Sequence, residues 1–298
     1  MRITSFAIFN QMTRSLQEGM REMFLYSERL SSGKKINKPS DDVYGMMEAM
    51  GYKVTINEID QYKKNIDDAD SQLGLTDSVM SSVATIVARA RELAVQTSSG
   101  TQTAEDRAVA AVEIANLRDE ALRLSQTKFR DRYIFSGYKT DTVPFDAGFN
   151  YRGDSNEINV LVDRDSTMAI NVPGDEAFSV GGTTFMETLN DLNYALENNI
   201  LDQTGPPPGI RQAITTLDNA IDQIANVRAD VGARLNYLER LKSTQEDRDT
   251  SLKTLLSNTE DDDITETVSE LAKIQVSLEA LRTSGAKMLS QSLMDFLD

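Results

Sequence analysis

An apolar residue returns at every seventh position from Tyr52 through Ile59, Ile66, Leu73, Met80 and Val87 to Ala94. Between them fall Tyr62, Ala69, Thr76, Val83 and Ala90, the alternate seam positions of the same repeat. A period of about 3.5 residues keeps one narrow stripe turned toward a partner, so the pattern predicts a coiled-coil-like helix over roughly 43–97. At about 1.5 Å per residue that helix is on the order of 80 Å long. A helix of such length holds only if another helix covers its stripe. Ser98-Ser99-Gly100 ends it, and Thr103, with Asp106 three residues on, opens a further helix whose stripe runs Ala110, Ile114, Leu117, Ala121, Leu124.

The first thirty residues repeat the beat at Phe9, Leu16, Met23 and Leu30, with Met12, Met20 and Tyr26 widening the stripe. Gly33 and then Asn37-Lys38-Pro39 break this helix, and Ser40 is the expected N-cap of the next, with Asp41 and Asp42 on its positive end. Long helix resumes at Ile210, Ile214, Leu217, Ile221, Ile224, Val231, Leu235 and Leu238, ending near Leu255-Leu256. After the acidic Glu260–Asp263 break, a last helix shows the seam Leu271, Ile274, Leu278, Leu281, Gly285, Met288.

The middle has a different texture. Turn signals at Ser136-Gly137, Pro144, Gly148 and Gly153-Asp154 surround β-formers at Glu157–Val162 and Thr167–Gly174, which predicts a small antiparallel β unit over about 138–180. A short helix carrying Phe185, Leu189, Leu192 and Leu196 follows, then the stiff Gly205-Pro206-Pro207-Pro208-Gly209 spacer. The order is palindromic. It predicts a mainly α, elongated, coiled-coil-like bundle formed by the N- and C-terminal segments, with a small inserted β-rich domain. Three regions are expected: 1–42 with 263–298 as a terminal helical assembly region, 43–137 with 203–262 as a long-helix rod, and 138–202 as a small β-rich outer domain with one short helix.

Composition removes most chemistry. The chain has no His and no Cys, so it lacks an imidazole base, a thiol nucleophile, disulfides and the usual zinc ligands. With 31 Lys+Arg against 47 Asp+Glu, its net charge of −16 argues against nucleic acid as a partner. There is no apolar run long enough for membrane insertion, and the start Met1-Arg2-Ile3-Thr4-Ser5-Phe6 does not read as a cleavable signal peptide. No cofactor or metal is expected.

The terminal stripes then carry the functional reading. Each is an amphipathic helix with the other terminus to cover it, and Phe6, Ile8, Phe24, Leu25, Leu293 and Phe296 need more cover than a pair supplies. A self-contained bundle and assembly into a larger helical array both remain open at this point. The expected assembly residues are Phe9, Leu16, Met23, Leu30, Leu271, Ile274, Leu278, Leu281 and Phe296. Lys34, Lys35 and Lys38, the one dense basic patch, are expected either to solvate a loop or to form lattice salt bridges with acidic groups of a neighbouring subunit; Asp41, Asp42, Asp261, Asp262 and Asp263 are the other candidates for such bridges.

The stretch Arg29-Leu30-Ser31-Ser32-Gly33-Lys34-Lys35-Ile36-Asn37-Lys38-Pro39-Ser40-Asp41-Asp42 resembles the N-terminal signature of the flagellin family. Ala88-Arg89-Ala90-Arg91-Glu92-Leu93-Ala94-Val95-Gln96-Thr97 with Glu105-Asp106-Arg107 resembles its long core helix and turn. Ala229-Asp230-Val231-Gly232-Ala233-Arg234 and Asp262-Asp263-Ile264-Thr265-Glu266 resemble its C-terminal half, so the likeness covers about 1–135 and 210–298. Within the family, Arg132–Gly137 with Pro144-Phe145, then Asn171–Asp175, and the ending Ser292–Leu297 are similar to the hook–filament junction branch rather than to filament flagellin. The resemblance implies a structural subunit that is exported unfolded by the flagellar type III route and secreted to the extracellular flagellum. It implies four partners: the first hook-associated protein on the hook side, flagellin on the filament side, further copies of the chain in a helical layer, and an export chaperone.

Two other functions stay in view: filament flagellin, and an enzyme in the β insert working with Asp163 and Asp165 or with Asp154 and Glu157. The expectation is no enzyme, because the insert is small for a pocket. Arg152-Gly153-Asp154 spells an adhesion tripeptide, but its Gly-Asp sits where a hairpin needs a turn. The Glu260–Asp263 run lacks the spaced ligands of a calcium loop and reads as a helix cap. Met at seam positions reads as adaptable packing rather than as copper ligands.

Overall fold

The computed structural model describes the backbone of residues 2–297 and the side chains of residues 7–287. Helices from the two ends of the sequence pair, and short strands are confined to the inserted middle. The order is α1 (Arg2–Ser32), α2 (Val43–Thr97), α3 (Ala104–Ser125), β1 (Lys128–Phe129), β2 (Arg132–Tyr133), β3 (Asn159–Asp163), β4 (Ser166–Ala169), α4 (Gly174–Phe178), β5 (Ser179–Val180), β6 (Thr183–Thr184), α5 (Phe185–Glu197), α6 (Ile210–Glu260) and α7 (Ile264–Leu297). The chain divides into two compact units, Met1–Glu58 with Arg248–Asp298, and Ile59–Asp247.

In the second unit the heptad stripe of α2 is the core. Ile66, Leu73, Met80, Val87 and Ala94 are buried, as are Ala69, Thr76, Val83 and Ala90. Their cover includes α6, whose buried positions Ile210, Ala213, Leu217, Ala220, Ile224, Val227 and Val231 step by three and four. The sequence-based stripe on α6 differs in part: Ile214, Ile221 and Leu235 are half-buried, while Ala213 and Ala220 take the seam. Small side chains there let the two backbones approach, so the larger ones move to the flanks. Ion pairs Asp67–Lys242, Asp77–Arg228 and Arg91–Asp218 order the two helices antiparallel.

Thr103 caps α3 in a full capping box with Asp106. The next residue, Arg107, is buried and donates to the carbonyls of Thr97 (3.0 Å) and Ser99 (2.8 Å) and to Asn199. It thus neutralises the negative end of α2 while joining it to the loop after α5.

The middle is less β-rich than its residues suggest. Its three antiparallel ribbons are two-stranded, β1–β2, β3–β4 and β5–β6. The expected second strand over Thr167–Gly174 stops at Ala169, and the expected Pro173-Gly174 turn is instead the entry to α4. Gly174 is required there, because a methyl would lie 2.8 Å from the Phe135 carbonyl oxygen. Between the ribbons the chain is held by buried Phe135, Phe145, Phe178 and Phe185, with Phe135 edge-on to Phe178 at 4.9 Å. The Tyr151 hydroxyl is hydrogen-bonded to Phe135 O (2.9 Å) and Asp154 O (2.8 Å).

In the first unit the break after α1 is a clasp. The Lys35 amide donates to Glu260 O (2.9 Å) and the Asp262 amide to Gly33 O (3.0 Å). The buried Glu260 carboxylate takes Lys34 and Lys53 (2.6 Å). Asp42, not Ser40, caps α2, accepting from the Tyr44 amide at 3.0 Å; Ser40 lies too far ahead of Val43 to do so.

Two outcomes follow from these contacts. Arg107→Lys and Arg107→Ala should each lower unfolding free energy, the alanine by about 2–4 kcal/mol, because carbonyls that shared a fork of donors are left unpaired in a buried place; an unchanged denaturation midpoint in both would remove this role. At Glu260 burial pushes the carboxyl up, but hydrogen bonds from Lys34 and Lys53 outweigh it and leave the group below its ordinary value. Its contribution is therefore complete above about pH 4.3, the unfolded carboxyl range, and fades as pH falls through the folded value. Hydrogen-exchange protection of the Lys35 and Asp262 amides should drop on acidification, and Glu260→Gln should flatten that dependence. A flat wild-type profile would count against the clasp.

Candidate assembly surfaces

Helices α1 and α7 pack against each other in the first unit. A methyl on Gly19 would lie 2.9 Å from Leu278 Cδ2, and one on Gly285 would strike Met12. With Lys34 bridged to Asp261, the order of contacts along the chain makes the pair antiparallel. Each glycine is the hole for a large side chain of the other helix, and within each helix the two positions are one heptad apart.

The expected assembly residues fall into three groups. Leu278 is buried in the pair, and Leu16, Met23, Leu271, Ile274 and Leu281 are half-buried. Phe9 and Leu30 are exposed, as are their neighbours Ile8, Met20 and Phe24. Phe296, together with Phe6, Met288 and Leu293, lies outside the residues whose side chains are described. One helix thus covers one stripe of α1 and leaves an apolar flank in solvent.

The charged candidates gather around the clasp. Lys34 pairs with Glu260, Lys35 donates to Asn258 O at 2.8 Å, and Lys38 pairs with Glu28 at 2.6 Å, so all three have partners within the chain. The Glu28 hydrogen bond holds Lys38 above its ordinary value. Asp41 accepts from the amides of Lys38 and Asn37, which holds its carboxyl low. Asp263 caps α7 through the amides of Thr265 (2.9 Å) and Glu266 (3.2 Å), and Asp262 accepts from the Thr267 hydroxyl. Asp41, Asp42, Asp261, Asp262 and Asp263 line a cavity of about 490 Å³ that Arg29 and Tyr26 close from α1.

A further apolar row escaped the sequence reading. Val43, Tyr44, Met47, Met50 and Val54 at the start of α2 are all exposed. The signal was a spacing of four, three and four from Val43 to Val54, on the face opposite to the heptads that begin at Tyr52.

The carboxylates weighed for catalysis have structural neighbours. Asp154 accepts from the amides of Tyr138 (2.9 Å) and Asn156 (3.1 Å), and these bonds hold it below its ordinary value. Glu157 pairs with Arg234 at 3.0 Å. Asp163 and Asp165 sit at the β3–β4 turn. In the adhesion-like tripeptide Arg152 is paired with Asp146, and the segment is a bend rather than the tip of a strand hairpin. Among the described residues no group of three or more acidic side chains is placed to hold a metal ion, and no helix is long and apolar enough to cross a membrane.

The family pattern for the bacterial flagellin N-terminal helical region matches residues 3–140. Flagellar hook-associated protein 3 of Escherichia coli (strain K12) is 30% identical, over 98% of this chain and 98% of that one. A putative flagellar hook-associated protein from Vibrio parahaemolyticus has the same fold, with a TM-score of 0.65 at 20% identity over 74% of this chain and 100% of that one. The flagellar junction protein FlgL from Legionella pneumophila is likewise similar in fold, at TM-score 0.57, 18% identity and coverage of 73% and 100%. Near-complete mutual coverage at that identity, on a fold of paired terminal helices, places the chain in one group: it belongs to the flagellar hook-associated protein 3 family.

Proposed function

We propose that the chain is a structural subunit of the bacterial flagellum and forms the junction layer between hook and filament. The observation that carries this reading is the likeness to flagellar hook-associated protein 3 over 98% of both chains, which includes both terminal helices. Its partners in that role are hook-associated protein 1 on the hook side, flagellin on the filament side, and further copies of itself. An export chaperone accompanies it before secretion to the cell exterior. Residues 1–42 with 263–298 are the assembly region, 43–137 with 203–262 the long-helix region, and 138–202 the β-rich part.

The work is multivalent binding and involves no reaction. Phe9, Leu16, Met23, Leu30, Leu271, Ile274, Leu278, Leu281 and Phe296 supply apolar contacts, part of them inside the α1–α7 pair and part between copies. Asp41, Asp42, Asp261, Asp262 and Asp263, with Lys34, Lys35 and Lys38, supply charge at the layer. Individual surface pairs are worth about 0–1 kcal/mol, so the strength comes from repetition around a closed layer.

Electron microscopy and sedimentation of the purified chain test this. It should stay monomeric and bind the ends of isolated hooks that carry hook-associated protein 1. Long fibres formed by the chain alone would point to a filament subunit instead. Removing residues 1–32 and 264–298 should abolish binding to hook ends and leave a cooperative helical melt from the buried core of 59–247. Retained binding would show that the terminal helices are not the attachment surface.

A further inference from the structure

The first turns of α2 carry apolar side chains on two opposite faces. Gly45, Ala49 and Ile56 are buried inside the first unit, where a methyl on Gly45 would lie 2.6 Å from Ile36 Cδ1. Val43, Met47, Met50 and Val54 lie about half a turn away and remain 71%, 68%, 58% and 59% exposed. A helix that is apolar all round is one covered all round. Their four-three-four spacing is that of a coiled-coil seam, so the missing cover is a helix rather than a loop or a flat surface.

Charge selects which helix. Just ahead of Val43, Asp41 and Asp42 enter the acidic cavity, and Glu58 stands exposed near the far end of the row. A chain with a net charge of −16 is repelled by its own copies except where it presents cations. Helix α1 presents them. Arg14 and Arg21 are exposed, have no ion-pair partner among the described residues, and flank the uncovered apolar side chains Met20 and Phe24.

The geometry points to α1 of a second copy as the occupant of this α2 row, lying antiparallel to it. Phe24 then sits by Val43 and Met20 by Met47, since both pairs are four residues apart. The same alignment brings Arg21 beside Asp41 and Asp42, and Arg14 beside Glu58. The contact joins two different surfaces, so it does not close on itself as a twofold dimer and passes from copy to copy. It rests on the assembly role proposed above and adds the surface through which copies meet.

The chain has no Cys, so single introduced thiols report the contact without background. Flagella would be isolated from cells producing two full-length variants together, Met47→Cys and Met20→Cys, and oxidised mildly. Both positions are exposed, so neither substitution removes a core contact. The expected result is a mixed disulfide dimer in several-fold excess over the dimers that either variant forms alone. Arg14→Glu in the Met20→Cys chain should lower that yield several-fold, and Glu58→Arg in the Met47→Cys chain should restore it. Dimers within the Met47→Cys variant alone would show the row pairing with itself and overturn the inference. So would both variants present in flagella without a mixed dimer, which leaves the junction role standing. Absence of the unmodified chain from isolated flagella would overturn both readings.

Discussion

A helix of 55 residues has no means of holding itself straight and ordered in water, and everything in the second unit follows from how α2 is covered. Its seam of Ile66, Leu73, Met80 and Val87 meets a partner, α6, that arrives from more than a hundred residues later in the sequence. Apolar contact alone does not set direction or register. Asp67–Lys242, Asp77–Arg228 and Arg91–Asp218 do, since only one antiparallel alignment joins all three. Each is exposed and worth little in stability, so their value lies in excluding slipped pairings. Once the two helices are joined, the intervening chain is a closed loop, and a compact insert can occupy it at small entropic cost.

The terminal pair is built on the same principle with less material. Two helices share one seam, and the glycine holes at Gly19 and Gly285 let Leu278 and Met12 seat deeply. Phe9, Met20 and Phe24 on the flank of α1 are left in water. In an isolated helix pair those side chains gain nothing from burial, and about 1.5–3 kcal/mol per large apolar side chain is held back until something covers them. That reserve is available for association in a way the closed core of the second unit is not.

What could be read from residues alone tracks how local the deciding physics is. The heptads of α2 and the Thr103–Asp106 box depend on neighbours within a turn or two, and both stand in the structure as their spacing suggests. The seam of α6 was less legible, because Ile214 and Ile221 outweigh Ala213 and Ala220 by hydrophobicity, whereas close backbone approach favours the alanines. The stretch after Ala169 has β-forming residues, but the Phe135 carbonyl and the phenylalanine cluster, both distant in sequence, bend it into α4. Asp42 displaces Ser40 as cap because Asp41 is already engaged with the Asn37 and Lys38 amides and fixes the loop ahead of Val43. The apolar row of α2 went unseen for a different reason. Reading a helix for one stripe hides a second that lies opposite it.

Net charge explains why a chain with so much uncovered apolar surface need not gather with its copies at once. At −16, encounters between monomers are repulsive over roughly a Debye length of 8 Å at physiological salt, and a single apolar contact must overcome that before it gains anything. The lysines near the clasp do not relieve it, since Lys34 and Lys38 are held by Glu260 and Glu28 of the same chain. Relief has to come from surfaces that present cations and apolar groups together, at several places simultaneously. A structure that already displays such surfaces in a ring meets that requirement, whereas a lone second monomer offers one site at a time. The same imbalance of charge that keeps the chain dispersed therefore makes its association depend on a template.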